Sequence, residues 1–185
     1  LLLLALTEEL GDLQSACDEV ARIAGIDLGR TRIVPVTDDA VVLHGRTGDG
    51  AVVAGQVAVA GTEGIEEVWV DPSCTAASPL AVRAIAEADL VVLGPGSLYT
   101  SVLAAAVVGD VRKALVDTAA RVAYVGNLRA DGAETRGYDL ADHVAALRRH
   151  GIHPDVEVPS DGLARPDGLA HDPALLGSVL QGLVA

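Results

Sequence analysis

The sequence predicts an α/β fold: a parallel sheet covered by helices on both faces, with an inserted antiparallel β meander. Three observations carry this expectation. Two apolar runs, 90–93 and 121–128, run into the turns Gly94-Pro95-Gly96 and Gly126-Asn127 and alternate with segments of helical period, as strands of a covered parallel sheet do. Between residues 31 and 71 the chain becomes a series of β-branched runs punctuated by Asp38-Asp39, Gly48-Asp49-Gly50 and Gly61-Thr62-Glu63-Gly64, short linkers of the kind that close antiparallel hairpins. Finally, half of the 185 residues are apolar but only 2% are aromatic, and Phe and Met are absent. The core must therefore be aliphatic and tightly layered, and the length suits one domain of good size.

Taken in order, residues 1–25 read as helix, because Leu6, Leu10, Leu13, Cys17, Val20 and Ala24 keep a three-four spacing. Gly11-Asp12 divides it, with Asp12 as a fresh N-cap, and Gly25 closes it. A core helix is the expectation. Runs 31–37, 41–46, 51–60 and 65–70 read as four short strands. Asp38 and Asp39 would suit metal or proton work as paired acids, but at a turn they are read as turn residues. Trp69 alternates with Val68 and Val70, so it faces the other side of its strand, toward a partner or a neighbouring helix.

From residue 72 the pattern is βα. Ser78-Pro79 reads as an N-cap with proline at the first helical position, followed by an apolar stripe of Leu80, Ala84, Ile85 and Ala88. After strand 90–93 a helix carries Val102, Leu103 and Ala106, and Asp110 caps another that buries Val111, Ala114, Leu115 and Thr118. The second strand leads through a polar loop, 129–138, into a helix over 139–150 whose inner face is Leu140, Val144 and Leu147. A last strand over 154–159 and a Gly- and Pro-rich loop, 160–172, precede a helix opened by Asp172-Pro173, with Leu176, Val179, Leu180 and Leu183 inward.

Ligands of parallel α/β sheets bind beyond the carboxyl ends of the strands. Those ends carry Gly94, Gly96 and Ser97, with Tyr99 and Thr100 beginning the next helix, and Gly126-Asn127. A glycine turn at a helix N-terminus lets a phosphate approach backbone N–H groups at the positive end of the helix dipole. Glu134, Thr135, Tyr138, Asp142 and His143 crowd the start of the 139–150 helix. If Asp139 is the N-cap, Asp142 lies in the first turn and offsets the dipole. Alternatively Asp142 or His143 faces the ligand and holds a hydroxyl or phosphate. Both readings stand at this stage, as does a pair of tyrosines, Tyr99 and Tyr138, flanking a ring. Arg129 and Arg136 in the same loop either clamp a phosphate or stand as exposed loop arginines with no role, and both readings stay open.

Several classes are excluded. The glycine turn lacks the Gly-Lys-Ser/Thr of a P-loop, the full Gly-x-Gly-x-x-Gly pattern and the Gly-x-Ser-x-Gly elbow. Cys17 and Cys74 are isolated, with no metal-ligand spacing. A net charge of −13 leaves no basic surplus for nucleic acid or anionic membrane surfaces. No apolar run reaches the length of a membrane span, and the Leu1–Leu4 run lacks the basic flank of a signal peptide.

The combination Leu93-Gly-Pro-Gly-Ser-Leu-Tyr-Thr-Ser-Val-Leu103, a strand ending Gly126-Asn127, Gly132-Ala-Glu-Thr-Arg-Gly-Tyr138 and Asp142-His143-Val144 resembles the gluconeogenesis factor family (YvcK), part of the CofD-like group that includes 2-phospho-L-lactate transferase. The resemblance runs along essentially the whole chain. Leu1 to Glu9 is similar to the family's helix after a Gly-Asn-Leu segment, and Val41 to His44 to the start of its β insertion. It implies a Rossmann-like fold in a single CofD-like α/β domain over 1–185 with a β insertion at about 31–71. It also implies a cytoplasmic location and binding of a UDP-sugar, in a protein needed for cell shape and wall synthesis during gluconeogenic growth. Gly94, Gly96, Ser97, Tyr99, Thr100, Asn127, Glu134, Tyr138, Asp142 and His143 are then the expected ligand residues, with no resident metal. The transferase branch, which joins a phospholactyl group to a deazaflavin with magnesium, carries Ser-Asn-Pro in its glycine turn. The Ser97-Leu98-Tyr99 here resembles the regulator branch. The family also begins with a strand and a Gly-Gly-Gly-Thr-Gly turn, so an N-terminally incomplete domain is expected. A structural module or homo-oligomer built on the β insertion and Trp69 is the third alternative.

Overall fold

The computed structural model describes residues 1–129 and 132–184. Ala130 and Asp131 of the polar loop, and Ala185, lie outside the described residues. The chain opens with two helices, α1 (Leu2–Leu10) and α2 (Leu13–Ile23). Gly11 ends the first at φ 88°, a left-handed conformation that suits glycine, and Asp12 caps the second by accepting the N–H of Ser15 at 2.8 Å. Gly25, at φ 71°, follows as expected, while the N–H of Ile26 reaches back to the carbonyl of Ala21. The core-helix expectation fails for α1, which buries none of its residues and exposes Leu2, Leu4 and Leu10. In α2 the buried face is Ala16, Cys17 and Ala21, rotated from the predicted stripe. Periodicity marks an apolar face, but it does not say what covers it.

Strands β1 (Val42–Thr47), β2 (Val52–Ala54) and β3 (Ile65–Asp71) form an antiparallel sheet in the order β2-β1-β3. The insertion thus has three strands, not four. Segment 31–37 is held at isolated points: Ser78 N–H donates to Val36 O at 2.7 Å, and Thr37 Oγ1 donates to Ala76 O at 2.7 Å. Pro35 within it has no N–H to offer a ladder. The predicted strand 51–60 breaks at Gly55, φ 97°, and its second half is a helical turn, α3 (Gln56–Ala60), that buries Val59. Trp69 does face away from Val68 and Val70. It stacks on His44, its cross-strand partner, with ring centroids 5.4 Å apart, and Arg46 lies 5.3 Å over its ring.

The second sheet is parallel, in the order β4-β5-β6, with β4 (Leu90–Leu93), β5 (Arg121–Val125) and β6 (Val156–Val158). Helix α4 (Pro79–Ala86) precedes it. A π-helical turn (Leu98–Leu103), α5 (Ala104–Ala106) and α6 (Gly109–Asp117) join β4 to β5; α7 (Leu140–Arg149) joins β5 to β6, and α8 (Pro173–Val184) ends the described chain. The caps differ in part from expectation. Ser78 makes no side-chain cap bond, and Asp110 lies inside the first turn of α6 rather than at its N-cap, Val108. The α4 stripe turns on Val82 and Ile85, which pack on the core, while Leu80 is 37% exposed. Val179 of α8 is 39% exposed, against the inward position predicted.

Strand β5 divides the interior. Val122 and Tyr124 belong to a cluster with Leu93, Val144 and Leu147, whereas Val125 joins Val158 and Leu163 under Leu176, Leu180 and Leu183 of α8. The alternation is that of a strand covered on both faces. The larger cluster also contains Leu43, Ile65, Val68 and Val70, so the antiparallel sheet shares the main core. Each fully buried aliphatic side chain contributes about 1.5–3 kcal/mol, enough to fix the insertion against the strand ends. His150 adds a polar tie: its Nε2 accepts the Val68 N–H at 2.9 Å, while its Nδ1 lies 2.7 Å from Ala146 O. No helix among the described residues is long and apolar enough to cross a membrane.

Candidate functional site

The register sets the site. Leu93 pairs with Tyr124 and Val125 with Val158, so the three parallel strands end side by side. The residues that follow, Gly94-Pro95-Gly96, Gly126-Asn127 and Pro159-Ser160, are therefore neighbours. Gly94 has φ 79°, and a Cβ there would stand 3.0 Å from Val125 O; no larger residue fits this crossing of backbones. Gly126 is less constrained: a Cβ there would meet the tip of the Leu140 side chain, Cδ1, at 3.1 Å, which that side chain must yield to admit. The side chain of Asn127 bridges the ends. Its Oδ1 accepts the Gly96 N–H at 2.9 Å and its Nδ2 donates to Gly96 O at 3.0 Å.

Two clefts open on either side of the 127–129 segment. The first, about 300 Å³, is lined by Asn127, Arg129, Tyr138, Asp139, His143 and Asp161 among others. The second, about 250 Å³, lies between Pro95-Gly96 and the 168–171 segment, with Asn127 and Arg129 in its wall. The first contains two carboxylates, Asp139 and Asp161; no acidic side chain lines the second. Arg129 is exposed and forms no ion pair among the described residues. The other loop arginine, Arg136, is turned away to Glu63 at 2.9 Å.

The expected residues separate into groups. Gly96 and Asn127 line the second cleft, with Gly94 holding the turn behind them; Asn127, Tyr138 and His143 line the first. His143 is buried, and its Nδ1 lies 2.6 Å from the Tyr124 hydroxyl. Ser97 precedes the π-helical turn and caps nothing with its side chain; its carbonyl accepts the N–H groups of Ser101 and Val102. Tyr99 is fully buried and meets Tyr138 edge-on at 6.5 Å, so the two rings pack on each other rather than face across a gap. Burial, reinforced by the Tyr138 hydroxyl, pushes the Tyr99 phenol well above its ordinary value, and Arg149 Nη2 donates to it at 3.1 Å. Thr100 is buried too, its carbonyl accepting from Gln56 Nε2 at 2.8 Å.

Glu134 is 2% exposed, and its Oε1 accepts the Tyr99 N–H at 3.3 Å. A carboxylate of the chain itself thus occupies the first turn after the glycines, the place an incoming anion would take in the simplest picture. Asp142 forms a capping box with Asp139: Asp142 N–H donates to Asp139 Oδ1 at 2.9 Å, and Asp139 N–H to Asp142 Oδ2 at 3.1 Å. Of the two readings of Asp142, the structure displays the helix-capping one. Tyr124, Ser160, Asp161 and His171 were not singled out from the sequence. Ser160 and Asp161 follow the third parallel strand, so the strand-end rule used for the other two would have found them. A loop hairpin completes the site: Ala164 bridges His171, bringing residues 168–171 beside the glycine turn.

Comparison with known proteins places this geometry. The family model described as 2-phospho-L-lactate transferase CofD matches residues 1–163. The chain belongs to the CofD family. Within it, the chain is 32% identical over 169 residues to a gluconeogenesis factor of Halalkalibacterium halodurans, covering 89% of this chain and 51% of that protein. It is 34% identical over 151 residues to the gluconeogenesis factor of Bacillus subtilis, covering 81% of this chain and 47% of that one. The chain therefore spans about half the length of the curated relatives it matches. A crystal structure of a UPF0052 family member from Bacillus halodurans superposes with a TM-score of 0.88 over 97% of this chain and 70% of its own, at 24% identity. That likeness extends to the fold. Among the described residues of this CofD-family chain, no group of three His, Cys, Asp or Glu side chains could hold a metal ion.

Proposed function

We propose that this chain binds a nucleotide-sugar, of the UDP-sugar class, as part of a cytoplasmic regulatory protein that supports cell shape and wall synthesis during gluconeogenic growth. The relatives' name, gluconeogenesis factor, supports the physiological setting. The observation that carries the ligand class is the pair of clefts sharing Asn127 and Arg129. A nucleotide-sugar has a diphosphate joining two hydroxyl-rich ends. A cleft free of carboxylates, with a guanidinium in its wall, suits the diphosphate. A neighbouring cleft with Asp161, Tyr138 and His143 suits hydroxyls, which both donate and accept. Titration calorimetry of the chain with UDP-N-acetylglucosamine tests the reading: saturable heat with a thermal shift is expected, and neither signal with UDP or its sugars would sink it.

The second reading, a phospholactate transfer to a deazaflavin, draws on the family description. Among the described residues the acids lining the first cleft are Asp139, engaged in the capping box, and Asp161. Product formation with phospholactyl donor, deazaflavin acceptor and magnesium would favour this reading over the regulatory one.

A further inference from the structure

Away from the strand ends, two further clefts adjoin where α6, the end of α7 and β3 meet. One, about 410 Å³, runs along α6 past Gly109 and Val116. The other, about 430 Å³, follows β3 from Glu66 to Trp69 and reaches Val107. Arg112, Arg149 and the buried His150 line both, and neither cleft shares a lining residue with those at the glycine turn. The acids of these clefts are engaged or turned aside. Asp117 pairs with Lys113, and Glu67 with Arg46. The Glu66 carboxylate bends to the β1–β2 turn, where a Cβ on Gly48 would stand 2.8 Å from its Oε1. Arg112 and Arg149 are exposed, and neither forms an ion pair among the described residues. In a chain of 26 acidic and 13 basic side chains, two guanidiniums thus stand on the same clefts without a carboxylate. Their mutual repulsion is relieved by a bound anion.

Arg149 is held in place. Its Nη2 donates to the buried Tyr99 hydroxyl at 3.1 Å and its Nε to Glu66 O at 3.5 Å. Those bonds occupy one edge of the guanidinium and leave the Nη1 side to another acceptor. A planar fork of this kind matches the two oxygens of a carboxylate, and its fixed position lowers the ordering cost of binding. We propose that Arg112 and Arg149 form a site for a small dicarboxylate, one carboxylate to each guanidinium, with the carbon frame against Val107 and Val116. Two acids then balance two cations, and the aliphatic walls of the clefts suit the link between them. The site lies beyond the nucleotide-sugar reading and does not depend on it. It gives the protein a second small-molecule input, remote from the strand ends.

Calorimetry at fixed ionic strength with succinate and with glutarate, on the parent chain and the variants R112Q and R149Q, tests this. The parent should bind at least one of the two saturably. Each substitution should weaken that binding about tenfold or more, the worth of one charge-assisted hydrogen bond. Acetate, with a single carboxylate, should bind weaker than the dicarboxylate by about tenfold or more on the same ground. R112Q should melt with the parent, since the Arg112 side chain makes no ion pair among the described residues. No saturable heat with either dicarboxylate overturns the site, as does binding that R112Q leaves unchanged. Inorganic phosphate bound in an Arg112-dependent way, where neither dicarboxylate binds, overturns the ligand class. If R149Q does not fold because Tyr99 loses its donor, R112Q decides alone: unchanged affinity overturns the site, and a tenfold loss upholds it.

Discussion

Asn127 and Gly96 face each other as an amide facing a peptide, with bonds of 2.9 and 3.0 Å running in opposite directions. The side chain completes what a further β-strand residue would otherwise supply, and it locks the glycine turn to the end of β5. The turn is thereby ordered before any ligand arrives, which lowers the ordering cost of binding.

Asn127→Asp keeps the size and the acceptor, loses the donor to Gly96 O and sets a charge against that carbonyl. A stability loss of about 1–2 kcal/mol is expected in urea unfolding. Anion binding in the second cleft should be abolished, and a retained pyrophosphate affinity would contradict the proposed placement.

Asp161 stands in the first cleft only. Asp161→Ala should weaken UDP-N-acetylglucosamine several-fold while leaving pyrophosphate affinity unchanged. Calorimetry with the two probes reads the difference, and equal losses would mean that the clefts do not divide the ligand as described.

His150 predicts a pH dependence. Burial, its largest cause, lowers its pKa below the ordinary histidine value against the opposing pull of the Ala146 carbonyl, and the Arg149 charge adds to the lowering; the ring accepts the Val68 N–H only while Nε2 is unprotonated. The unfolded chain therefore takes up the proton first as pH falls. Stability from this group is fully present above the unfolded value of about 6.5 and is lost as pH drops through the lower folded value. Thermal melts between pH 7.5 and 5 should show a falling midpoint for the parent and a smaller fall for His150→Gln. An identical pH slope would show that other groups govern it.

Trp69 is covered within its own sheet by His44 and Arg46. Trp69→Ala should cost about 1–2 kcal/mol and leave the mass in solution, measured by light scattering, unchanged. A change of assembly state would instead favour the alternative in which this sheet acts as an interface.

The parts legible in the sequence were those set by local chemistry. Asp12 and Asp139 as caps, the Gly11 break, the alternation around Trp69 and the strand ends at Gly94 and Gly126 all follow from residue type and spacing over a few positions. What was not legible depended on distant partners. Leu6 and Leu10 keep the helical period, yet α1 buries none of its residues and Leu10 is exposed. Segment 31–37 is β-branched but is tied at isolated points to the 76–78 segment. Tyr99 resembled a ligand contact because it follows the glycines; only the packing of Tyr138 and Arg149 shows that its ring is interior. His171 had no motif at all, and only the Ala164 bridge brings it beside Gly96.

The carboxylate of Glu134 accepts the Tyr99 N–H at the start of the π-helical turn. The main-chain charge at that helix end is neutralised from within, so the fold exerts little pull of its own on an incoming anion. On the proposed reading, the pull comes from surface side chains such as Arg129, which is exposed and lines both clefts. A ligand preference held by exposed side chains in this way is expected to be screened strongly by salt.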